Sequence, residues 1–177
     1  MTRDQLEHAI RAACDVAGDT EVWVFGSQAI LGEFPDAPAD LRTSIEVDIQ
    51  PKNRPDKADM VDGALGELSQ FYKTFGFYVH GLLMDGAAFP EGWEHRAIKV
   101  VDEKSTRGNV GWCVQAHDLA ASKLAAYREK DRNFVRTLLV EGMIDAGILI
   151  ERIDSLKIDE ALRERLLLWI QYTAEEL

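Results

Sequence analysis

Two short stretches carry residue types that could do chemistry together. The apolar run Val22-Trp23-Val24-Phe25 stops abruptly at Gly26-Ser27. Further on, Ser44-Ile45-Glu46-Val47-Asp48-Ile49 sets two acids at alternate positions. On a strand, residues i and i+2 point to the same face, so Glu46 and Asp48 project together, away from Ile45, Val47 and Ile49. Side-by-side carboxylates repel, and a divalent cation relieves them. Mg²⁺ takes oxygen ligands and brings substrate phosphates with it. A Gly-Ser turn leading into a helix offers backbone N–H groups and a hydroxyl to an anion. These are the parts of a phosphoryl or nucleotidyl transfer site, with Glu46 and Asp48 as metal ligands and Gly26 and Ser27 as a triphosphate cradle. The same spacing also suits a solvated strand face, and the same dipeptide an ordinary turn.

The elements around these residues read as follows. Residues 4–17 have Leu6, Ile10, Ala13 and Cys14 at helical spacing, with Thr2 as a cap and Gly18 as a stop. His8 sits among polar neighbours and is expected at the surface. Residues 21–25 read as a short buried strand. The stretch 32–41 holds two prolines and a glycine and is expected to be a loop, either a surface connection or a substrate-facing lid. Arg42 follows it, placed to anchor that loop or to pair with an acid. Residues 57–71 have a helical period that Gly63 and Gly66 weaken by about 1 kcal/mol each. The aromatic run 75–84 predicts one strand carrying His80, a minor ligand candidate. Residues 97–101 predict another strand, and 110–114 a last edge strand.

From His117 the chain reads as helical, with 134–146 as one helix broken by Gly147. Residues 158–176 form a final helix whose Trp169 and Tyr172 belong to a core or face a partner. The helix after His117 is dense in small residues and carries Lys123. Arg128, Arg132 and Arg136 follow four apart, either as a paired surface face or as a phosphate-facing stripe.

The order of these pieces resembles the nucleotidyltransferase superfamily with the DNA polymerase β-like fold, in which a strand ends in Gly-Ser and the next carries acid-x-acid. Within that superfamily, Arg42-Thr43-Ser44-Ile45-Glu46-Val47-Asp48 resembles AbiEii/MenT-type toxin nucleotidyltransferases. The segment from Asp118 to Asp131 is similar to the helix that holds that group's lysine and the acid after it. The resemblance implies an α/β (α+β) fold with a mixed sheet of four to five strands and a C-terminal helical half. It divides the chain into a core over 1–114 and a helical region over 115–177, packed as one body or two.

By the same resemblance, the activity is Mg²⁺-dependent transfer of NMP from an NTP to an acceptor hydroxyl, plausibly the 3′ end of tRNA, in a toxin with a cognate antitoxin. Asp48, Lys123 and Asp131 would be catalytic. Gly26, Ser27, Arg42, Ser44 and Lys123 would bind the nucleotide, and Glu46 and Asp48 the metal. Asp131 would orient Lys123 or Arg42, or act as a base. Many members of the superfamily carry a third acid on a later strand. None occurs between Phe71 and Met84 here, and Asp85 comes only at the strand's end. An enzyme that nucleotidylates a protein, or a binding module without turnover, would share the same fold.

Composition bounds these readings. A chain of 177 residues can bury a substantial core. The formal net charge of −11 argues against broad nonspecific nucleic-acid binding but not against a local basic groove. Cys14 and Cys113 lie far apart without metal-ligand spacing, as expected of free thiols in the cytoplasm. No signal peptide and no membrane span is expected.

Overall fold

The computed structural model describes residues 1–176. The chain divides into two compact units, one made of Met1–Met84 with Ala97–Gln115, the other of Asp85–Arg96 with everything from Ala116 onward. No helix among the described residues is long and apolar enough to cross a membrane.

The first unit is a mixed sheet with helices against it. Helix α1 (Arg3–Ala17) begins in a capping box between Thr2 and Gln5 and ends at Gly18, whose φ of 62° a side chain would resist. Its buried stripe is Leu6, Ala9, Ile10, Ala13, Cys14 and Ala17. Strand β1 (Glu21–Phe25) leads through a 3₁₀ turn at Ser27–Ala29 into the short α2 (Ile30–Glu33), and a second 3₁₀ turn at Ala39–Arg42 precedes β2 (Glu46–Pro51). Then come α3 (Ala58–Leu65), α4 (Gln70–Phe75), β3 (Tyr78–Gly81), β4 (Ile98–Val100) and β5 (Val110–Cys113).

The strand order is β3-β2-β1-β5-β4. Strands β1 and β2 run antiparallel, as do β4 and β5, while β1–β5 and β2–β3 are parallel. Alternation then sorts the sheet into two faces. Val22, Val24, Val47, Ile49, Val79, Val100 and Cys113 are buried on one. Helices come so close there that a Cβ on Gly111 would fall 2.3 Å from Ile10 Cδ1, and one on Gly81 2.3 Å from the Ala58 carbonyl oxygen. Burying each of those aliphatic side chains is worth about 1.5–3 kcal/mol. The other face carries Glu21, Trp23, Glu46, Asp48, Gln50, Tyr78, His80 and Trp112, none of them fully buried.

The second unit is helical: α5 (Trp93–Arg96), α6 (Ala116–Ala126), α7 (Glu129–Val140), α8 (Ala146–Asp154) and α9 (Glu160–Glu175). Asp145 and Asp159 cap α8 and α9 by accepting from the Ile148 and Leu162 N–H groups. Leu119, Leu124, Leu138, Leu149, Ile153, Leu166 and Ile170 form the core. Asp118 is 0 % exposed and takes Arg96 in a two-pronged grip, both bonds 2.8 Å, with Arg152 Nε at 3.2 Å. That grip fastens Asp85–Arg96 to the α6–α8 helices.

Several expectations are corrected. Residues 57–71 are not one helix, because Gly66 closes α3 and Ser69 caps α4 by accepting from Tyr72 N. Strand β5 is internal, since β4 pairs along its outer side. The helix expected over 134–146 ends at Val140, ahead of Gly142 with its φ of 64°, and Gly147 lies inside the first turn of α8 rather than breaking a helix. His8 packs edge-on against Phe71, Phe75 and Phe77, with ring centroids 4.5–5.6 Å apart. Of the pair on the last helix, Tyr172 stays exposed.

Candidate active site

The site begins with the β1–β2 register, which sets Phe25 opposite Asp48. Gly26 comes next, with φ 66° and ψ −172°. A Cβ on it would lie 2.0 Å from Asp48 Oδ2, so only glycine fits. The chain then turns at Ser27, and Gln28 Nε2 donates to the Leu41 carbonyl at 3.2 Å, joining this turn to the one ending at Arg42. The Gly-Ser turn, the turn ending at Arg42 and the acid strand therefore lie together. Two buried polar atoms near it, Gln28 Oε1 and Arg42 Nε, have no hydrogen-bond partner among the described residues. Ser44 makes a local turn, its Oγ accepting from Glu46 N at 3.1 Å at the start of β2.

The parallel β2–β3 register places Tyr78 beside Glu46 and His80 beside Asp48. The Tyr78 hydroxyl donates to Glu46 Oε2 at 2.7 Å. His80 Nδ1 lies 3.2 Å from Glu46 Oε1 and 3.1 Å from Asp48 Oδ1. One ligand atom from each of Glu46, Asp48 and His80 lies within 4.8 Å of the other two. Burial, together with the hydrogen bond and charge of Glu46, pushes the Asp48 carboxyl up to about 6 against the pull of His80. Burial would also raise Glu46, but the Tyr78 hydroxyl, Asp48 and His80 hold it below its usual value. His80 is raised, since the two carboxylates outweigh the burial that would lower it. Two acids share one imidazole here, and a cation suits them, since their donor atoms converge.

The structure brings His80, a minor ligand candidate in the sequence, and Tyr78, which the sequence did not single out, beside the two acids. The signal was present, because Tyr78-Val79-His80 repeats the alternate spacing of Glu46-Val47-Asp48. Reading it requires knowing that β3 lies parallel to β2.

In the second unit, Lys123 Nζ pairs with Asp131 Oδ1 at 3.3 Å and Arg128 Nε with Asp131 Oδ2 at 2.6 Å. Asp131 is 1 % exposed and Lys123 12 %. The lysine also lies 4.6 Å from the Phe134 ring centroid. Asp131 thus holds Lys123 and Arg128 together. The arginines expected as one stripe have separate partners. Arg132 lies against the Tyr127 ring and Arg136 pairs with Glu176 at 2.9 Å.

A mixed five-stranded sheet, with a Gly-Ser turn pressed against an acid-x-acid strand, defines a nucleotidyltransferase-like fold. A family profile described as "Nucleotidyltransferase of unknown function (DUF6036)" matches residues 5–176, and the chain belongs to that family. Searches of curated proteins and of solved structures found no match.

Proposed function

We propose that this protein is a metal-dependent nucleotidyltransferase that joins NMP from an NTP to the 3′ hydroxyl of an RNA, with tRNA as the acceptor and a toxin–antitoxin pair as its setting. Family membership supports nucleotidyl transfer in general. The observation that carries the site assignment is Gly26, which the Asp48 carboxylate leaves no room to replace. Glu46 and Asp48 would hold the metal, which when bound supplies charge neutralisation at the phosphates. The backbone at Gly26-Ser27 would hold the triphosphate, with Arg42 and its unpartnered Nε beside it. Lys123, oriented by Asp131, would offset phosphate charge. The acceptor oxygen bonds to the α-phosphorus, the α–β phosphoanhydride breaks, pyrophosphate leaves, and the hydroxyl proton passes to water.

A nucleic-acid acceptor is supported by a platform on the same sheet face as the acids. The Trp23 and Trp112 rings lie 6.5 Å apart, and Lys52 Nζ stands 5.3 Å from each. Glu21 Oε1 accepts from the Trp112 indole N–H at 2.7 Å and fixes that ring. Trp23 precedes Phe25 on β1, so the platform lies on the far side of Asp48 from the Gly26-Ser27 turn. In an in-line transfer the acceptor approaches opposite the leaving pyrophosphate, and a base stacked on tryptophan is worth about 1–3 kcal/mol. The tRNA and antitoxin parts rest on the resemblance of residues 42–48 and 118–131.

The test is an assay with labelled NTPs, total tRNA and the purified protein. Label on RNA is the expected result. Label on protein instead points to protein nucleotidylation, and none on either to a binding module.

A further inference from the structure

Glu46, Asp48 and His80 present an ion with two carboxylate oxygens and one imidazole nitrogen. We propose that His80 is a metal ligand through Nδ1, and that it makes the site select a divalent first-row transition ion, with Mn²⁺ as the probe, over Mg²⁺. The inference rests on the metal-dependent reading above and adds the identity of the ion and a third ligand.

Three observations carry it. The first is spacing. Adjacent ligands of a six-coordinate ion with bonds of about 2.1 Å stand about 3.0 Å apart. His80 Nδ1 is 3.2 Å from Glu46 Oε1 and 3.1 Å from Asp48 Oδ1, so the three atoms already stand at ligand separation. The second is support. The Tyr78 hydroxyl engages Glu46 Oε2, which leaves Oε1 on the side of His80 and Asp48 and fixes the carboxylate's rotation. Outer partners of this kind are what orient metal ligands. The third is register. The parallel β2–β3 pairing puts His80 directly beside Asp48, so its place is set by the sheet and not by a flexible loop.

The chemistry of the donors then decides the ion. Mg²⁺ keeps oxygen ligands and gives up water reluctantly, whereas imidazole suits the later first-row ions such as Fe, Ni and Zn; Mn²⁺, the weakest binder of that series, is the paramagnetic probe and the most demanding case. Ligation through Nδ1 places the ring proton on Nε2. The rest of the shell of a six-coordinate ion is left to water and phosphate oxygens. Without an ion, the same distances describe an imidazole hydrogen-bonded to two carboxylates, and the experiment separates the two arrangements.

The full chain, freed of metal, is titrated with Mn²⁺ while the aqua-ion signal is followed by electron paramagnetic resonance, and Mg²⁺ is then used as competitor. Pulsed measurements on the Mn²⁺-loaded protein look for ¹⁴N coupling from a directly bound imidazole. The expected results are Mn²⁺ binding at least about 10-fold tighter than Mg²⁺, and a ¹⁴N coupling that vanishes in His80→Gln along with about 10-fold or more of the Mn²⁺ affinity. His80→Asp should bind both ions without nitrogen coupling and with the preference moved toward Mg²⁺. Absence of ¹⁴N coupling in the wild type, or its persistence in His80→Gln, overturns the proposal, and the first of these needs no variant to fold. The titration contains no nucleotide. Selective Mn²⁺ binding in a protein that transfers nothing would remove the proposed function and leave this inference standing. Transfer supported equally by both ions, without nitrogen coupling, would do the reverse.

Discussion

Two pairs of acids, one in each unit, are treated in opposite ways. In the helical unit, each buried aspartate holds two cationic side chains, Asp118 with Arg96 and Arg152, Asp131 with Lys123 and Arg128. In the sheet unit, Glu46 and Asp48 share the single imidazole of His80, and the Asp48 side chain is 24 % exposed. The helical acids are satisfied by the chain itself and hold its segments together. The sheet acids share one imidazole between two carboxylates, the arrangement that the proposed metal would balance. Burial alone does not set these acids apart, since Asp19 in the sheet unit is also buried and is satisfied by the N–H groups of Thr20, Glu21, Asn53 and Arg54. What sets Glu46 and Asp48 apart is that they lie side by side and share one imidazole.

The largest expected effect breaks this contrast most sharply. Asp48→Asn should reduce nucleotidyl transfer more than about 100-fold, since a metal's charge stabilisation is worth several kcal/mol. The same variant should melt no lower than wild type in the absence of metal, because it relieves like-charge repulsion. Transfer rate and melting temperature on one preparation check both. The same kind of change in the helical unit should act in the other direction. Asp118→Ala leaves Arg96 and Arg152 without their shared partner and should cost about 3 kcal/mol in denaturant unfolding. A drop in stability for Asp48→Asn as large as that for Asp118→Ala would erase the distinction between the two regions.

Lys123 tests whether the satisfied network also serves chemistry. Lys123→Ala should lower kcat by roughly 10²-fold or more while NTP affinity changes far less, as for a preorganised charge felt mainly in the transition state. Unchanged kcat and affinity would make the Lys123–Asp131 pair purely structural. The smallest effect is in pH. The Asp48 carboxyl sits at about 6 in the folded protein against 3.8 for the ordinary group. Its raised value makes a stability contribution that is present below 3.8 and lost as pH rises through about 6. Melting curves of metal-free wild type minus those of Asp48→Asn should therefore decline across that window. Metal binding, which needs the ionised carboxylate, should weaken as pH falls below about 6.

How much of this was legible in the sequence depended on how local the cause was. The alternation of Glu46 and Asp48, the stop at Gly26, the Thr2 and Gly18 caps and the final helix are each set within a few residues, and each is found where expected. The join between Gly26 and Asp48 followed from a motif order, while its tightness needed the antiparallel register. That His80 meets both acids was not legible, because it depends on which strand β3 joins. The 57–71 helix was drawn too long because a periodic apolar pattern ran across Gly66 and Ser69, a stop followed by a start. Nothing local shows that Asp85–Arg96 belongs with the helices. That follows from Arg96 meeting Asp118, 22 residues away.

The account turns on the claim that Glu46, Asp48 and His80 form a cation site beside a triphosphate cradle at Gly26-Ser27. Its most direct test is a crystal structure with Mn²⁺ and a non-hydrolysable NTP, with the ion located by its anomalous scattering. The account predicts an anomalous peak bonded to Glu46, Asp48 and His80, with the triphosphate against the backbone of Gly26 and Ser27. An ion bound elsewhere, or a triphosphate that leaves the Gly26-Ser27 turn untouched, would contradict it.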